Sequence, residues 1–354
     1  SASDKKIIKE GLKVLEIPGW KAWASACNDS NAEQELLYAT ILMHTPNIVS
    51  LDIDDGFVRY KTPKWLDLIR WAVSGSPFGH IHQFSHLRSI RVDVLNLKPR
   101  HLCPLFKLQS LRKLKLIGLM EPGTAKVGKA DYLRRLVPAA SCPIDDFSLQ
   151  ESFINCEVLG VLLGFIRALE RFEYQHADDR WLLRGDISEV YWSGSIEWQT
   201  TYGDPTTMLN YPTLMAALEC HHHSLESLSI FEETEEPDIQ EAPGFIESLR
   251  RFEKLTYLNV PLGALVNLER KTPQTLVEKL PRSLKMLGIF IRGYATEYRC
   301  MPAVEHMAAH CRDFLPFIEH VRIGAIDDSG SGYTYDWKRL LVPLSRLGVN
   351  LVVD

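Results

Sequence analysis

The stretch HLRSIRVDVL begins at His86, and a near copy, SLRKLKLIGL, begins at Ser110. Counted from Leu87 or from Leu111, apolar residues stand at positions 1, 4 and 6: Leu87, Ile90, Val92 and Leu111, Leu114, Leu116. The spacing recurs at Ile48, Leu51, Ile53; Ile144, Phe147, Leu149; Leu169, Phe172, Tyr174; and Leu225, Leu228, Ile230. Leu255, Leu258, Val260; Leu284, Leu287, Ile289; and Ile318, Val321, Ile323 complete nine copies, and VNLVVD at the end is a partial tenth. Positions 4 and 6 lie two apart, so on an extended backbone both face one side and the residue between them faces the other. Each phrase therefore predicts a short strand with one apolar face. A lone strand cannot hide that face, so copies must stack side by side around a continuous core.

Helix signals separate the phrases. Thr62 and Pro63 precede KWLDLIRWAV, Pro243 precedes GFIESLRRF, Pro273 precedes QTLVEKL, and Pro302 precedes AVEHMAAHCRDFL. Proline suits a first helical turn, where its missing N–H has no partner to lose. Successive fourth-position residues are separated by 39, 24, 33, 25, 56, 30, 29 and 34 residues. Most intervals exceed the roughly 20 to 29 residues of ordinary leucine-rich repeats, and crossovers of that length give parallel strands. A doubly wound α/β enzyme also alternates strands and helices, but nine copies of one internal spacing favour a solenoid. The expectation is an α/β leucine-rich-repeat horseshoe with degenerate long repeats, strands on the concave face and helices on the convex face. Residues 1–43 are expected to form a helical cap and residues 44–354 the solenoid, with an aromatic-rich insertion at 178–212. The ninth position, where many such repeats place Asn or Cys, holds Gly56, Leu95, Leu119, Ser152, Ala177, Glu233, Gly263, Arg292 and Ile326, so no asparagine ladder is expected.

Composition narrows the function classes. With 354 residues, 45% hydrophobic and 24% charged, the chain has the make-up of a globular protein. A formal charge of −5 argues against a phosphate-backbone partner, so no nucleic acid is expected. No apolar run reaches the roughly 18 to 20 residues of a membrane span, and no membrane partner is expected. Seven scattered cysteines without a C-x-x-C pair predict free thiols in the cytoplasm or nucleus. The opening SASDKKIIKE has neither a signal-peptide core nor an initiator Met and reads as the remnant of processing. No particular oligomeric state is signalled.

LLYATILMHTPNIVSLDID, FSHLRSIRVDV and TLMAALECHHHSLESLSIF each combine a connection with a repeat strand, the first and third after a helix. In these stretches the chain resembles the fungal F-box and leucine-rich-repeat proteins. That resemblance implies a substrate-recognition domain of a ubiquitin-ligase receptor. The F-box itself, a helical motif opening with Leu-Pro and a run of Ile and Leu, is not visible in the first 36 residues.

Motifs with catalytic overtones are incomplete. GTAKVGKA, from Gly123 to Ala130, spaces Gly123, Gly128 and Lys129 like a P-loop but has Ala130 where a magnesium-binding hydroxyl belongs, and reads as an inter-repeat loop. His306 and His310 share a helix face near Cys311, yet Met307 stands where a zinc protease needs Glu. CHHHS from Cys220 reads as a surface helix end, and Asp54–Asp55 and Asp327–Asp328 as turns. No catalytic residue, metal or cofactor is expected.

Binding is expected on the strand face that the apolar residues leave free. Its first five repeats are charged and mixed, with Arg91, Asp93, Arg171 and Glu173 as candidates. Its later repeats turn aromatic and apolar at Phe231, Tyr257, Met286 and Phe290, followed by Arg322. Trp192 and Trp198 in the insertion could anchor a partner as well, since aromatics concentrate binding energy. The expected function is a protein-interaction module holding a protein or peptide ligand. The alternative is an enzyme or small-molecule binder with a pocket beneath the insertion.

Overall fold

A computed structural model describes residues 2–15, 19–28, 34–53, 63–74, 82–94, 97–121, 129–177, 209–232, 244–266, 276–291, 300–325 and 335–354. Strands β1 (Ser50–Ile53), β2 (Ser89–Asp93), β3 (Lys113–Ile117), β4 (Met120–Glu121), β5 (Asp146–Ile154) and β6 (Arg171–His176) lie in the first half. They are followed by β7 (Ser227–Glu232), β8 (Tyr257–Pro261), β9 (Met286–Ile291), β10 (His320–Ala325) and β11 (Asn350–Val353). Apart from β4, which pairs only with the far end of β5, the strands form one sheet in sequence order, every pairing parallel. A doubly wound sheet would reverse its strand order at a switch point, and this sheet has none.

All nine phrases coincide with strands, and register turns them into columns. Leu51, Ile90, Leu114, Phe147, Phe172, Leu228, Leu258, Leu287 and Val321 are successive partners across the sheet, and all but Leu51 at the edge are at most 1% exposed. Ile53, Val92, Leu116, Leu149, Tyr174, Ile230, Val260, Ile289 and Ile323 form a second buried column. Helices cover these columns, with neighbours side by side: Lys129–Leu136 against Cys156–Phe165, that helix against Tyr211–Leu218, and Met301–Phe314 against Lys338–Arg346. On the opposite strand face Arg91, Lys115 and Glu173 are half-buried and Arg322 is exposed, so that face is open to solvent at these positions. Complete burial of one Leu or Phe side chain contributes about 1.5–3 kcal/mol, so the columns dominate stability. At the start of the chain, helices Ala2–Val14, Trp20–Cys27 and Gln34–Met43 pack in series, and the last packs on Lys64–Ser74.

One hydrogen-bond junction recurs at every step. The carbonyl of the second-position residue accepts the N–H groups of the second and third positions of the next unit: Arg88 and Ser89 on Val49, Arg112 and Lys113 on Arg88, Asp145 and Asp146 on Arg112. The same pair of donors meets Asp145, Glu170, Glu226, Thr256 and Lys285 in turn, at 2.7–3.1 Å, and Asn350 alone meets Glu319 at the final step.

Three local expectations are corrected. GFIESLRRF is not helical: Ile246, Leu249 and Phe252 are buried, while the Ile246 and Leu249 N–H groups donate to Ala264 and Lys279 carbonyls at 2.7 Å, so the stretch bonds to adjoining segments instead of to itself. His221 is not a surface histidine. It is 2% exposed, its Nε2 donates to the Leu163 carbonyl at 3.1 Å, and its Nδ1 accepts the Leu169 N–H at 3.4 Å. Tyr211, counted with the insertion, is itself buried and starts a helix that also buries Leu214 and Leu218 and is capped by Asn210, whose side chain accepts the Thr213 N–H at 2.9 Å. At one ninth position, Ser152, a serine rung stands where an asparagine ladder would be. Glu151 adopts φ +46° at a register shift in β5, and fully buried Ser152 accepts the Leu119 N–H at 3.1 Å while donating to the Gln150 carbonyl at 2.7 Å.

Ser152→Ala leaves a buried N–H unpartnered and should cost about 1–3 kcal/mol in urea unfolding. Burial lowers the basicity of His221 from its ordinary 6.5, so the unfolded chain takes up that proton more readily than the folded one. Its stabilisation is whole above pH 6.5 and declines as pH falls further. His221→Gln, which cannot titrate, should flatten that decline in melting temperature measured down to about pH 5.

Candidate functional site

The open strand face is organised in rows that run across the strands. The first row holds Lys113, Asp146 and Arg171 as register partners on β3, β5 and β6, and continues to Tyr257 and Met286 on β8 and β9. Asp146 bridges both cations, at 3.7 Å to Lys113 and 3.1 Å to Arg171, and Asp145 lies 3.9 Å from Arg171. The hydrogen bond that Arg171 Nε donates to Asp146 raises the pKa of Arg171 further, so the guanidinium stays charged.

The second row reads Asp52, Arg91, Lys115, Ser148, Glu173, Ser229, Asn259, Gly288 and Arg322. Arg91 meets Asp52 at 2.8 Å, and Arg322 pairs with Asp354 beyond β11. Glu173 accepts from Ser148 Oγ at 3.3 Å and from Gln150 Nε2 at 3.2 Å. Lys115 makes no ion pair among the described residues. The charged candidates Arg91, Arg171, Glu173 and Arg322 are thus tied to neighbours, and Asp93 is half-buried at the end of β2. Exposed pairs of this kind contribute little stability; they hold the long side chains in fixed places.

Over β7 to β10 the face changes shape. Phe231 and Phe290 pack together with ring centroids 5.1 Å apart, although they sit on strands separated by β8. Pro261 ends β8 between them, and β7–β8 pairing stops at Ser229 and Asn259. The ring of Phe290 lies over Gly324, where a Cβ would come within 2.9 Å of it. In the middle row Asn259 is buried and lies across Gly288, where a Cβ would stand 2.2 Å from the Asn259 Oδ1. The second row is therefore low at Ser229, Asn259 and Gly288, flanked by Tyr257 and Met286 on one side and by Phe231 and Phe290 on the other. It is a shallow trough with apolar walls.

Phe231, Tyr257, Met286 and Phe290 are all half-buried, and the structure groups them as expected. Trp192 and Trp198 lie outside the described residues, as do Asp54–Asp55, Asp327–Asp328 and the P-loop-like stretch up to Gly128. The sequence does not reveal the trough floor, because its signal is small size at Gly288 and a burial of Asn259 that only register discloses.

Other chemistry is held in check. Burial pushes the thiols of Cys103 and Cys142 up to about 11, and raises those of Cys156, Cys220 and Cys311, which keeps them protonated and weakly nucleophilic near neutrality. His306 and His310 stack at 4.4 Å with His310 Nδ1 donating to the His306 carbonyl, while Cys311 is buried away from them. Among the described residues no three His, Cys, Asp or Glu side chains gather as a metal site. A half-open cleft of about 460 Å³, lined by Arg250, Glu253, Arg282, Asp313 and Phe314, lies at the segments entering β8, β9 and β10. No described helix is long and apolar enough to cross a membrane. No family model and no curated protein matches the chain.

Gly288→Ala should cost about 1–3 kcal/mol in thermal unfolding, because the new methyl displaces the Asn259 side chain. Gly164→Ala, in a helix where a Cβ meets nothing within 4 Å, should be neutral or gain up to about 1 kcal/mol.

Proposed function

We propose that this chain is a protein-interaction module, a leucine-rich-repeat horseshoe whose inner strand face takes a protein or peptide segment. Within a cell it acts as the substrate-recognition part of an F-box-like ubiquitin-ligase receptor. The observation that carries the binding role is the trough over β7 to β9, where Tyr257, Met286, Phe231 and Phe290 flank a floor of Ser229, Asn259 and Gly288. Large apolar side chains grouped on a solvent-facing surface mark interaction sites, and aromatics at such places concentrate binding energy. Next to them, charges pinned by their own neighbours offer a fixed electrostatic pattern, which sets partner choice and register more than affinity. The receptor role rests on the resemblance of the repeat phrases to the F-box and leucine-rich-repeat proteins.

Affinity capture from the source cell should retrieve one reproducible protein with the wild-type chain and lose it with the Tyr257→Ala, Phe290→Ala double variant. That variant should remain folded, since trimming two half-buried rings costs about 1–2 kcal/mol each, and its circular dichroism checks this. Undiminished capture by the folded variant would overturn the assigned face. If the ligase role holds, deleting the protein should lengthen the half-life of the captured partner; an unchanged half-life would overturn that role alone.

A further inference from the structure

The second row of the strand face carries three features at equal intervals. Lys115 on β3 has no ion pair among the described residues. Glu173 lies two strands further along, on β6, and the trough at Asn259 lies two further again, on β8. Neighbouring strands are about 4.8 Å apart, so each interval is about 9.6 Å. A peptide crossing the strands in the β conformation presents the same face every second residue, about 6.7 Å, and drifts out of step. A polyproline II helix presents the same face every third residue, about 9.3 Å, and stays in step.

We propose that the ligand is a polyproline II segment lying along this row. It places an acidic residue on Lys115, a basic residue three positions along on Glu173, and an aromatic or large aliphatic residue six positions along in the trough. The identification rests on the strand face being the binding site, as proposed above, and adds the ligand's conformation and charge order. Lys115 supplies a cation that no acidic side chain among the described residues pairs with. Glu173 is half-buried, and its carboxylate is held by two neutral donors, Ser148 and Gln150, rather than by a cation. The trough offers the aromatic walls and an amide floor that proline-rich segments dock against elsewhere. Such a segment is already extended in solution, so it loses little conformational freedom on binding.

The test uses the intact chain and two fluorescent peptides of one composition, Asp-Pro-Pro-Lys-Pro-Pro-Phe and Lys-Pro-Pro-Asp-Pro-Pro-Phe, followed by anisotropy. The first should bind about tenfold more tightly, and Lys115→Glu, an exposed-face change that leaves the core columns untouched, should remove the preference. Phe290→Leu, which keeps an apolar side chain over Gly324, should weaken both peptides together. Equal binding of the two peptides, or none of either at millimolar peptide, overturns the proposal. If the double variant at Tyr257 and Phe290 still loses its cellular partner, the strand face stands and only the ligand class falls; if capture persists, the site itself falls.

Discussion

At each of the first eight steps one backbone carbonyl receives two successive N–H groups from the following unit. The residue that owns the carbonyl is Val49, Arg88, Arg112, Asp145, Glu170, Glu226, Thr256 or Lys285, so its side chain has no common chemistry. The junction is made by backbone alone and therefore tolerates sequence drift. It sits just ahead of each strand, so a unit that makes it is delivered to its neighbour in a fixed register. A register error of one residue would turn every apolar side chain to the wrong face. The junction sets the start of the register, and the buried columns at positions 4 and 6 supply the energy that keeps it.

Register in turn makes the open face legible as rows. Lys113, Asp146 and Arg171 can pair because they are partners across three strands, although 33 and 25 residues separate them in the chain. Phe231 reaches Phe290 because β8 ends in Pro261, which has no N–H to extend the ladder and leaves the space above it to rings from both sides. Gly288 and Gly324 do related work: each lacks the methyl that would stand where Asn259 or Phe290 now lies.

The spacing of Leu87, Ile90 and Val92 made the strands legible, since burial of alternate residues is a property of a single segment. Composition likewise disclosed the charged and aromatic halves of the face. What stayed hidden depends on neighbours distant in sequence. GFIESLRRF has helix-like character locally, but the carbonyls of Ala264 and Lys279 compete successfully for its N–H groups. His221 reads as polar and exposed until Leu163 and Leu169 are seen to occupy both of its ring nitrogens. Ser152 looks like any strand serine until the Glu151 bulge turns it inward. The pairing of Arg91 with Asp52 follows from register between residues 39 apart, which no local pattern encodes.

The junction bears on how such a chain acquires function. Ahead of each strand it demands a fixed geometry, whatever the length of chain that led there. Between β6 and β7 the chain inserts the longest interval, yet the Glu226 and Ser227 N–H groups still meet the Glu170 carbonyl at 2.7 and 3.0 Å. Added length is therefore absorbed after the strand at almost no cost to stacking, because loop-closure entropy grows only slowly with length. Selection for a new ligand can vary those connections and the solvent-facing rows independently of the core. The columns at positions 4 and 6, by contrast, are fixed by packing that spans every unit.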